Sequence, residues 1–305
     1  DYNSSGSWKN VRPVIQSNPS DGSGLGRFRM YMTEERWQII VADNMLHKIE
    51  QAVKNSSRII LNAQRDPAYI SSKEGHANFV TTYDKQVQED LFGQLAEILP
   101  EAKFMGEEDD KQQYTGEGYL FVVDPIDGTT NFIKDYKASA ISVALLKDGE
   151  PVLAAIYNPY QDEMFTAEKG KGAWLNGSPI HVTDEPLENV LVLPGTSPYY
   201  EEMWKDTLAV AYQYLSHAVD LRRSGSAAID LCSIACGRAG VFFELLLSPW
   251  DYAAGSLLVR EAGGTMEGLY GGELQFEKAQ PVIAYGSGVK PLPLEKPDCI
   301  KKLGL

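Results

Sequence analysis

Apolar residues recur at two spacings along the chain, and these spacings predict helices and strands. The first helical pattern follows Thr33, a residue type that often caps helices, and its apolar positions are Trp37, Ile40, Leu46, Ile49 and Val53. A second helix is predicted from about Lys85 to Leu99, where Pro100 ends it. The run Tyr119–Val123 predicts a buried strand.

Further strands are predicted downstream of that run. Ala138–Leu146 and Val152–Tyr157 are separated by Lys-Asp-Gly-Glu and indicate an antiparallel hairpin. Glu163–Ala167 and Gly172–Leu175 continue this sheet. From about Glu185 the pattern alternates between strand and helix. The predicted fold class is therefore α/β, with an antiparallel sheet in residues 32–184 and a mixed α/β arrangement in residues 185–305.

The first 31 residues have a different texture. They are rich in Ser, Gly and Asn, contain Pro, and show no sustained periodicity. They also lack the basic start and apolar centre of a signal peptide. We expect residues 1–31 to be a disordered leader or a cloning remnant that precedes the folded domain.

The charge balance limits the classes of partner. Lys and Arg number 28 against 42 Asp and Glu, a net charge of −14. This balance argues against nucleic acid and membrane surfaces, which attract clustered basic residues. No apolar run reaches the ~20 residues of a membrane span. Three sparse cysteines favour buried thiols and a cytoplasmic location.

Acidic residues concentrate at the predicted ends of elements, in Gly106–Asp109, Asp124–Asp127 and Trp250-Asp251. Magnesium prefers carboxylate and carbonyl oxygens, and a bound cation reverses the local field of an acidic protein. Asp124 ends a buried strand, where an unpaired charge is costly. Taken alone, the segment 124–128 is equally consistent with an ordinary turn, and the segment 106–110 favours a solvated loop over a site.

Together these segments resemble the signature motifs of the inositol monophosphatase family. The similar segments are Gly106-Glu-Glu108, Asp124-Pro-Ile-Asp-Gly-Thr-Thr-Asn-Phe132 and Trp250-Asp-Tyr-Ala-Ala-Gly255. Weaker similarity runs through Val80–Asp84, Gly225–Ala228 and Glu261–Gly264, so that the resemblance covers about residues 33–290. It implies a layered α-β-α-β-α sandwich.

The resemblance also implies roles for individual residues. Glu107, Asp124 and the Ile126 carbonyl would hold one Mg²⁺, and Asp124, Asp127 and Asp251 a second. The catalytic residues would be Thr129, Asp84 and Glu107, with Lys73 as a possible accessory. The substrate contacts would be Gly128, Thr129, Ser226, Ala227, Glu244 and Asp251. One departure is Asn78, where many members have Asp.

The implied reaction is Mg²⁺-dependent hydrolysis of a small phosphate monoester, foremost myo-inositol 1-phosphate. Other substrates stay open, because the metal motifs would contact only the phosphate group. They are fructose bisphosphate, histidinol phosphate, and dinucleotide or nucleotide phosphates. A regulatory binding protein that keeps the fold also stays open, as an alternative to an enzyme. The resemblance further implies lithium sensitivity and a homodimer. Arg222 and Arg223 could contact phosphate, an interface or a salt-bridge partner.

Overall fold

The computed structural model describes residues 11–15, 29–64, 69–72, 79–108 and 116–305. The chain divides into two compact units, Asp1–Lys48 and Ile49–Leu305. The predicted boundary near residue 184 therefore falls inside the second unit. Among the described residues, no helix is long and apolar enough to cross a membrane.

In the first unit, two strands lie within the segment that we expected to be disordered. Strand β1 (Val11–Ile15) pairs antiparallel with β2 (Arg29–Thr33), with Val11 opposite Thr33. Eight of these strand residues, 11–15 and 29–31, belong to the segment 1–31, so the structure differs there from the expected disorder. Valine, isoleucine, tyrosine and threonine favour strands, and their short runs escaped a search for sustained periodicity. Helix α1 (Glu34–Leu61) begins directly after Thr33.

The second unit contains two short strands and two larger sheets. The short strands β3 (Ile70–Ser72) and β4 (Phe79–Thr81) pair with each other. The remaining strands are β5 (Lys103–Gly106), β6 (Tyr119–Asp127), β7 (Ala140–Lys147), β8 (Glu150–Asn158), β9 (Glu163–Glu168), β10 (Gly172–Leu175), β11 (Ser178–Pro179), β12 (Leu191–Pro194), β13 (Asp220–Leu221), β14 (Val241–Leu247), β15 (Thr265–Gly268) and β16 (Gln280–Tyr285). The helices after α1 are α2 (Thr82–Ile98), α3 (Thr129–Ile133), α4 (Glu201–Leu215), α5 (Ala227–Ala235), α6 (Pro249–Glu261) and α7 (Asp298–Lys302).

The larger sheet has seven strands in the order β11-β10-β9-β8-β7-β6-β5. Its pairs are antiparallel except for the parallel pair β5–β6 at one edge. The second sheet has the order β13-β12-β14-β16-β15. It is mixed, because β12 runs parallel to β13 and β14 while β16 is antiparallel to both of its neighbours. The predicted division into antiparallel and mixed halves is confirmed at the level of these sheets.

The helices complete five layers, as the family resemblance implied. Helix α2 packs on the seven-stranded sheet at β6, and α4 packs on the five-stranded sheet at β12, β13 and β14. Helices α5 and α6 contact strands of both sheets and form the central layer. Their approach is close, because a Cβ on Gly255 of α6 would lie 2.4 Å from Leu231 Cδ1 of α5. This packing brings the starts of α5 and α6 toward the end of β6.

Candidate metal centre and active site

The end of β6 turns two aspartates inward within four residues. Asp124 pairs with Ser142 of β7 and Asp127 with Ala140, and the register shifts between them. Pro125 has no N–H to donate to the ladder, which favours this irregularity. The Ile126 N–H donates to Asp124 Oδ1 at 3.0 Å, and both carboxyls are buried.

A third carboxylate comes from the start of α6. Ser248 caps this helix and Pro249 occupies its first turn, so that Asp251 is the third helical residue. Asp251 Oδ2 accepts the Ser248 N–H at 3.0 Å, which completes a capping box. Carboxylate oxygens of Asp124, Asp127 and Asp251 all lie within 4.8 Å of one another. These three residues are called the carboxylate trio below.

Burial and mutual repulsion raise the pKa values of the trio. Asp124 and Asp251 have pKa values well above the ordinary range, first through burial and then through neighbouring carboxylates. Burial raises the pKa of Asp127 to about 6, against hydrogen bonds from Ser226 and Ala228. The charged groups that act most strongly on Asp124 are all carboxylates. Such an oxygen-rich, uncompensated set fits a hard divalent cation such as Mg²⁺.

Glu107 joins the same electrostatic cluster. It follows β5, and its N–H donates to the Val123 carbonyl at 3.3 Å, beside the end of β6. Its charge is among the causes that raise the pKa values of Asp124 and Asp251. A Cβ at Gly106 before it would lie 2.2 Å from Gln88 Oε1, so the end of the Gln88 side chain would have to move.

Thr129 connects this cluster to the start of α2. Its Oγ1 lies 3.1 Å from Asp84 Oδ1 and 3.2 Å from the Ile126 carbonyl oxygen. Asp84 Oδ2 accepts the Thr81 N–H at 2.7 Å and the Thr81 hydroxyl at 2.5 Å. Burial raises the pKa of Asp84 to about 6, although these hydrogen bonds oppose the shift. The arrangement can hold or move a proton between Thr129 and Asp84.

The turn at Gly128 requires glycine. Its φ is 89°, in the left-handed region, and a Cβ would lie 3.0 Å from the Ala138 carbonyl oxygen and 3.3 Å from Ser226 Cβ. The backbone of β6 therefore passes close to the start of α5.

Ser226 and Ala227 lie at that start, and Ser226 is already engaged. The Ser226 hydroxyl and the Ala228 N–H both donate to Asp127 Oδ2 at 2.6 Å. The Ser226 N–H donates to Ser224 Oγ at 3.0 Å. Ser226 thus orients a member of the trio, a contact that our sequence analysis did not anticipate.

Glu244 lies at a register shift in β14, inside the strand rather than at its end. Its Oε1 accepts the Ser197 N–H at 2.7 Å. Burial raises its pKa to about 7, while the Ser197 hydrogen bond and the charge of Arg223 oppose the shift. Gly195 leaves the room for this carboxyl.

One cavity of about 230 Å³ brings most of the expected residues together. Its lining includes Asp127, Gly128, Thr129, Ser226, Ala227, Glu244 and Asp251. Arg223 also lines it, whereas Arg222 forms an ion pair with Asp220 at 2.5 Å. Lys73 and Asn78 lie outside the described residues.

The cavity also contains residues that the sequence analysis missed. Asp230, Tyr199 and Asn131 line it. Asp230 lies four residues after Ser226 on a predicted helix, so the helical period could have placed both on one face. Asn131 lies within the motif 124–132 but received no role there, and Tyr199 carried no signal in the sequence.

Comparisons with known proteins agree with this geometry. The profile of the inositol monophosphatase family matches residues 42–296. The chain is 36% identical to the Nus factor SuhB of Escherichia coli K12 over 226 residues, which cover 73% of this chain and 84% of that protein. It is 34% identical to the inositol monophosphatase of Dictyostelium discoideum over 268 residues, covering 85% and 98%.

Solved structures show the same likeness. The extragenic suppressor protein suhB of Bartonella henselae superposes with a TM-score of 0.73 at 33% identity, covering 80% of this chain and 94% of that chain. Because relatives include proteins named Nus factor, the comparisons do not support our expectation that nucleic acid is an improbable partner. The family profile covers most of the chain, and the carboxylate motifs stand together at one site. The chain belongs to the inositol monophosphatase family.

Proposed function

We propose that this protein is a Mg²⁺-dependent phosphatase that hydrolyses the phosphate monoester of a small polyol, with myo-inositol 1-phosphate as its preferred substrate. The observation that carries the proposal is the carboxylate trio, with oxygens within 4.8 Å of one another, beside the Thr129–Asp84 pair. Family membership supports phosphatase chemistry on a small phosphate.

The trio, Glu107 and the Ile126 carbonyl would hold Mg²⁺. The Ile126 carbonyl oxygen has two lone pairs, so it can bind the metal although it lies 3.2 Å from the Thr129 hydroxyl. When bound, Mg²⁺ supplies positive charge that neutralises phosphoryl oxygens and lowers the pKa of water.

The protein's own groups then handle the proton and the orientation. Thr129 Oγ1 accepts a hydrogen bond from the attacking water as its own proton shifts toward Asp84 Oδ1, 3.1 Å away. Glu107 would contribute to the reaction as a ligand of Mg²⁺ beside Asp124. The water oxygen forms the new P–O bond as its proton passes through Thr129 to Asp84, and the ester P–O bond breaks. The leaving alkoxide takes a proton from solvent water, and Asp84 afterwards returns its proton to solvent. The Gly128 and Thr129 amides would hold the phosphate oxygens.

Glu244, Ser226 and Ala227 would contact the alcohol, together with Asp251. The Glu244 carboxyl lines the cavity, and one of its oxygens accepts a hydrogen bond from the Ser197 N–H. Its other oxygen can therefore accept a hydrogen bond from a substrate hydroxyl. Glu244→Gln should lower kcat/KM for myo-inositol 1-phosphate about 10- to 150-fold, the range for a hydrogen bond to a charged group. Hydrolysis of an aryl phosphate, which offers no hydroxyl, should be spared.

The direct test is a phosphate-release assay over a panel of substrates. The panel contains myo-inositol 1-phosphate, fructose 1,6-bisphosphate, histidinol phosphate, nucleotide phosphates and an aryl phosphate, each with Mg²⁺ and with excess chelator. We expect turnover only with Mg²⁺, a preference for the inositol phosphate, and inhibition by lithium. Full turnover in chelator, or no turnover of any substrate, would refute the proposal.

A second candidate is a regulatory role, and the similarity to proteins named Nus factor favours it. Asp124→Asn distinguishes the candidates, since it removes one charge from the trio and keeps an oxygen for the Ile126 N–H. A biological role that survives this substitution while phosphate release is lost is independent of catalysis.

The remaining parts of the proposal concern assembly and location. A homodimer follows from the family resemblance and is tested by light scattering. A reducing, cytoplasmic location accords with three free cysteines, of which Cys232 is buried.

A further inference from the structure

One aspartate of the cavity, Asp230, has no role in the reaction described above. Asp230 lies one helical turn after Ser226 on α5, and its side chain is only 4% exposed. Residues four apart share a helix face, and both residues line the same cavity. The buried carboxyl is therefore available to a molecule that fills this space.

The Ser224 hydroxyl is the hydrogen-bonding neighbour of the Asp230 carboxyl. That hydroxyl already donates its proton to the Ser226 carbonyl oxygen at 2.9 Å. A carboxyl group offers about four hydrogen-bonding positions, and buried positions left unfilled are costly. A ligand hydroxyl would fill one of them.

The charges around Asp230 indicate which ligand chemistry fits. Burial is the main cause that raises its pKa, to about 8, the charges of Asp127 and Glu244 act in the same direction, and the Ser224 hydrogen bond and Arg223 oppose them. The single guanidinium of Arg223 is offset by the carboxyl of Asp127 together with those of Glu244 and Asp230, which leaves no excess of positive charge for a second phosphate group. Hydroxyls suit this mixture, because they donate to carboxyl oxygens and accept from a guanidinium.

We propose that Asp230 is a specificity-determining residue that hydrogen-bonds a hydroxyl of the substrate alcohol and, with Glu244, selects a neutral polyol over an alcohol that carries a second phosphate. This inference rests on the proposed phosphatase function. It extends the alcohol subsite to a residue on the first turns of α5.

The test compares Asp230→Ala and Asp230→Asn with the unaltered protein on three substrates in Mg²⁺: myo-inositol 1-phosphate, fructose 1,6-bisphosphate and p-nitrophenyl phosphate. Loss of one buried hydrogen bond should lower kcat/KM of Asp230→Ala for the inositol phosphate about 10-fold. Hydrolysis of p-nitrophenyl phosphate should stay within about twofold of the unaltered protein, since this substrate has no hydroxyl to lose. Asp230→Asn retains hydrogen-bonding groups, so its kcat/KM for the inositol phosphate should fall less than that of Asp230→Ala. The ratio of kcat/KM for the inositol phosphate to kcat/KM for the bisphosphate should become smaller in Asp230→Ala.

Three outcomes would overturn the inference. Equal losses on the inositol and aryl phosphates would show that Asp230 acts through Ser224 and Ser226 on Asp127. Ser224→Ala provides the reference for that behaviour, because it should change both substrates alike. No loss on either substrate, or a preference of the unaltered protein for the bisphosphate, would also contradict it.

A binding measurement separates this inference from the proposed function. If the unaltered protein releases no phosphate from any substrate, the proposed function fails first. Calorimetric titration with myo-inositol 1-phosphate and with inorganic phosphate, both in Mg²⁺, then tests Asp230 directly. Weaker binding of the inositol phosphate alone by Asp230→Ala supports the inference, and equal binding or no binding overturns it.

Discussion

The Thr129 hydroxyl lies 3.1 Å from Asp84 Oδ1, although 45 residues separate them in the chain. Thr129 follows the turn at the end of β6, whereas Asp84 closes the capping box at the start of α2. The contact therefore depends on the packing of α2 against β6. It joins a hydroxyl to a buried carboxyl of raised pKa beside the trio.

If Thr129 and Asp84 act as one unit, the losses of kcat caused by substituting each of them should not multiply in the double variant. Thr129→Ala should lower kcat by roughly 10²- to 10⁴-fold, the contribution of a positioned proton-transfer group, and Asp84→Asn should do the same. The double variant should be little worse than either single one. Steady-state kinetics measures this cycle, with Thr183→Ala, which does not line the cavity, as the control. A double loss equal to the product of the single losses would contradict the pairing.

The metal-free protein should lose stability as the pH rises from about 4 to about 7. Folding raises the pKa values of Asp84 and Asp127 to about 6 and that of Asp124 further. The folded state therefore holds more protons than the unfolded chain in this window, and the free energy of unfolding falls with rising pH. The loss is on the order of 2–3 kcal/mol for a group shifted by about two pKa units.

Thermal unfolding with and without Mg²⁺ over this pH range measures the effect. Mg²⁺ should restore the Tm, and more so at the higher pH. Asp124→Asn should flatten the metal-free profile, since it removes one of the raised groups. A metal-free Tm that does not fall as the pH rises, or that falls as steeply in Asp124→Asn as in the unaltered protein, would count against the cluster.

Asp251→Asn should weaken Mg²⁺ binding at least about 10-fold, as loss of supporting groups at metal sites does. It should also raise the Tm of the metal-free protein, because one repelling charge is removed while the cap on Ser248 keeps an acceptor oxygen. Calorimetry with Mg²⁺ and metal-free unfolding give the two readouts. The matched control is Asp298→Asn at the start of α7, whose side chain is 84% exposed. Equal effects of the two substitutions would show that Asp251 is no ligand.

Gly195→Ala should disturb the alcohol side of the cavity specifically. The added Cβ would lie 2.1 Å from Glu244 Oε2 and 2.4 Å from Glu244 Cδ, so that the carboxyl must move. We expect a cost in stability of roughly 1–3 kcal/mol, typical of overpacking. We also expect a larger loss of kcat/KM for myo-inositol 1-phosphate than for an aryl phosphate.

Gly93→Ala is the matched control for that substitution. Gly93 lies inside α2 with nothing within 4 Å of its added Cβ. Alanine there should stabilise the protein by about 0.5–1 kcal/mol through helix propensity and leave the substrate preference unchanged. If both substitutions lower the two activities alike, Glu244 supports the fold and does not read the alcohol.

Local sequence was sufficient for much of the fold and for the carboxylates. The spacing of apolar residues predicted α2, which buries one face, and β6, which is buried on both faces. The Asp-Pro-Ile-Asp-Gly turn indicated its chemistry for a local reason too, since Pro125 interrupts the ladder and Gly128 adopts a positive φ. The strands in residues 11–15 and 29–33 were missed because a short hairpin leaves no long period.

The functional arrangement was decided by tertiary structure. Asp127 and Ser226 lie 99 residues apart and meet at 2.6 Å only because α5 packs between the two sheets. Asp230 carried no motif of its own, and its burial in the cavity follows from that same packing. A sequence pattern records which side chains share a face of one element. Which elements then face each other depends on the layering, and at this site the layering brings α2, β6, α5, β14 and α6 together.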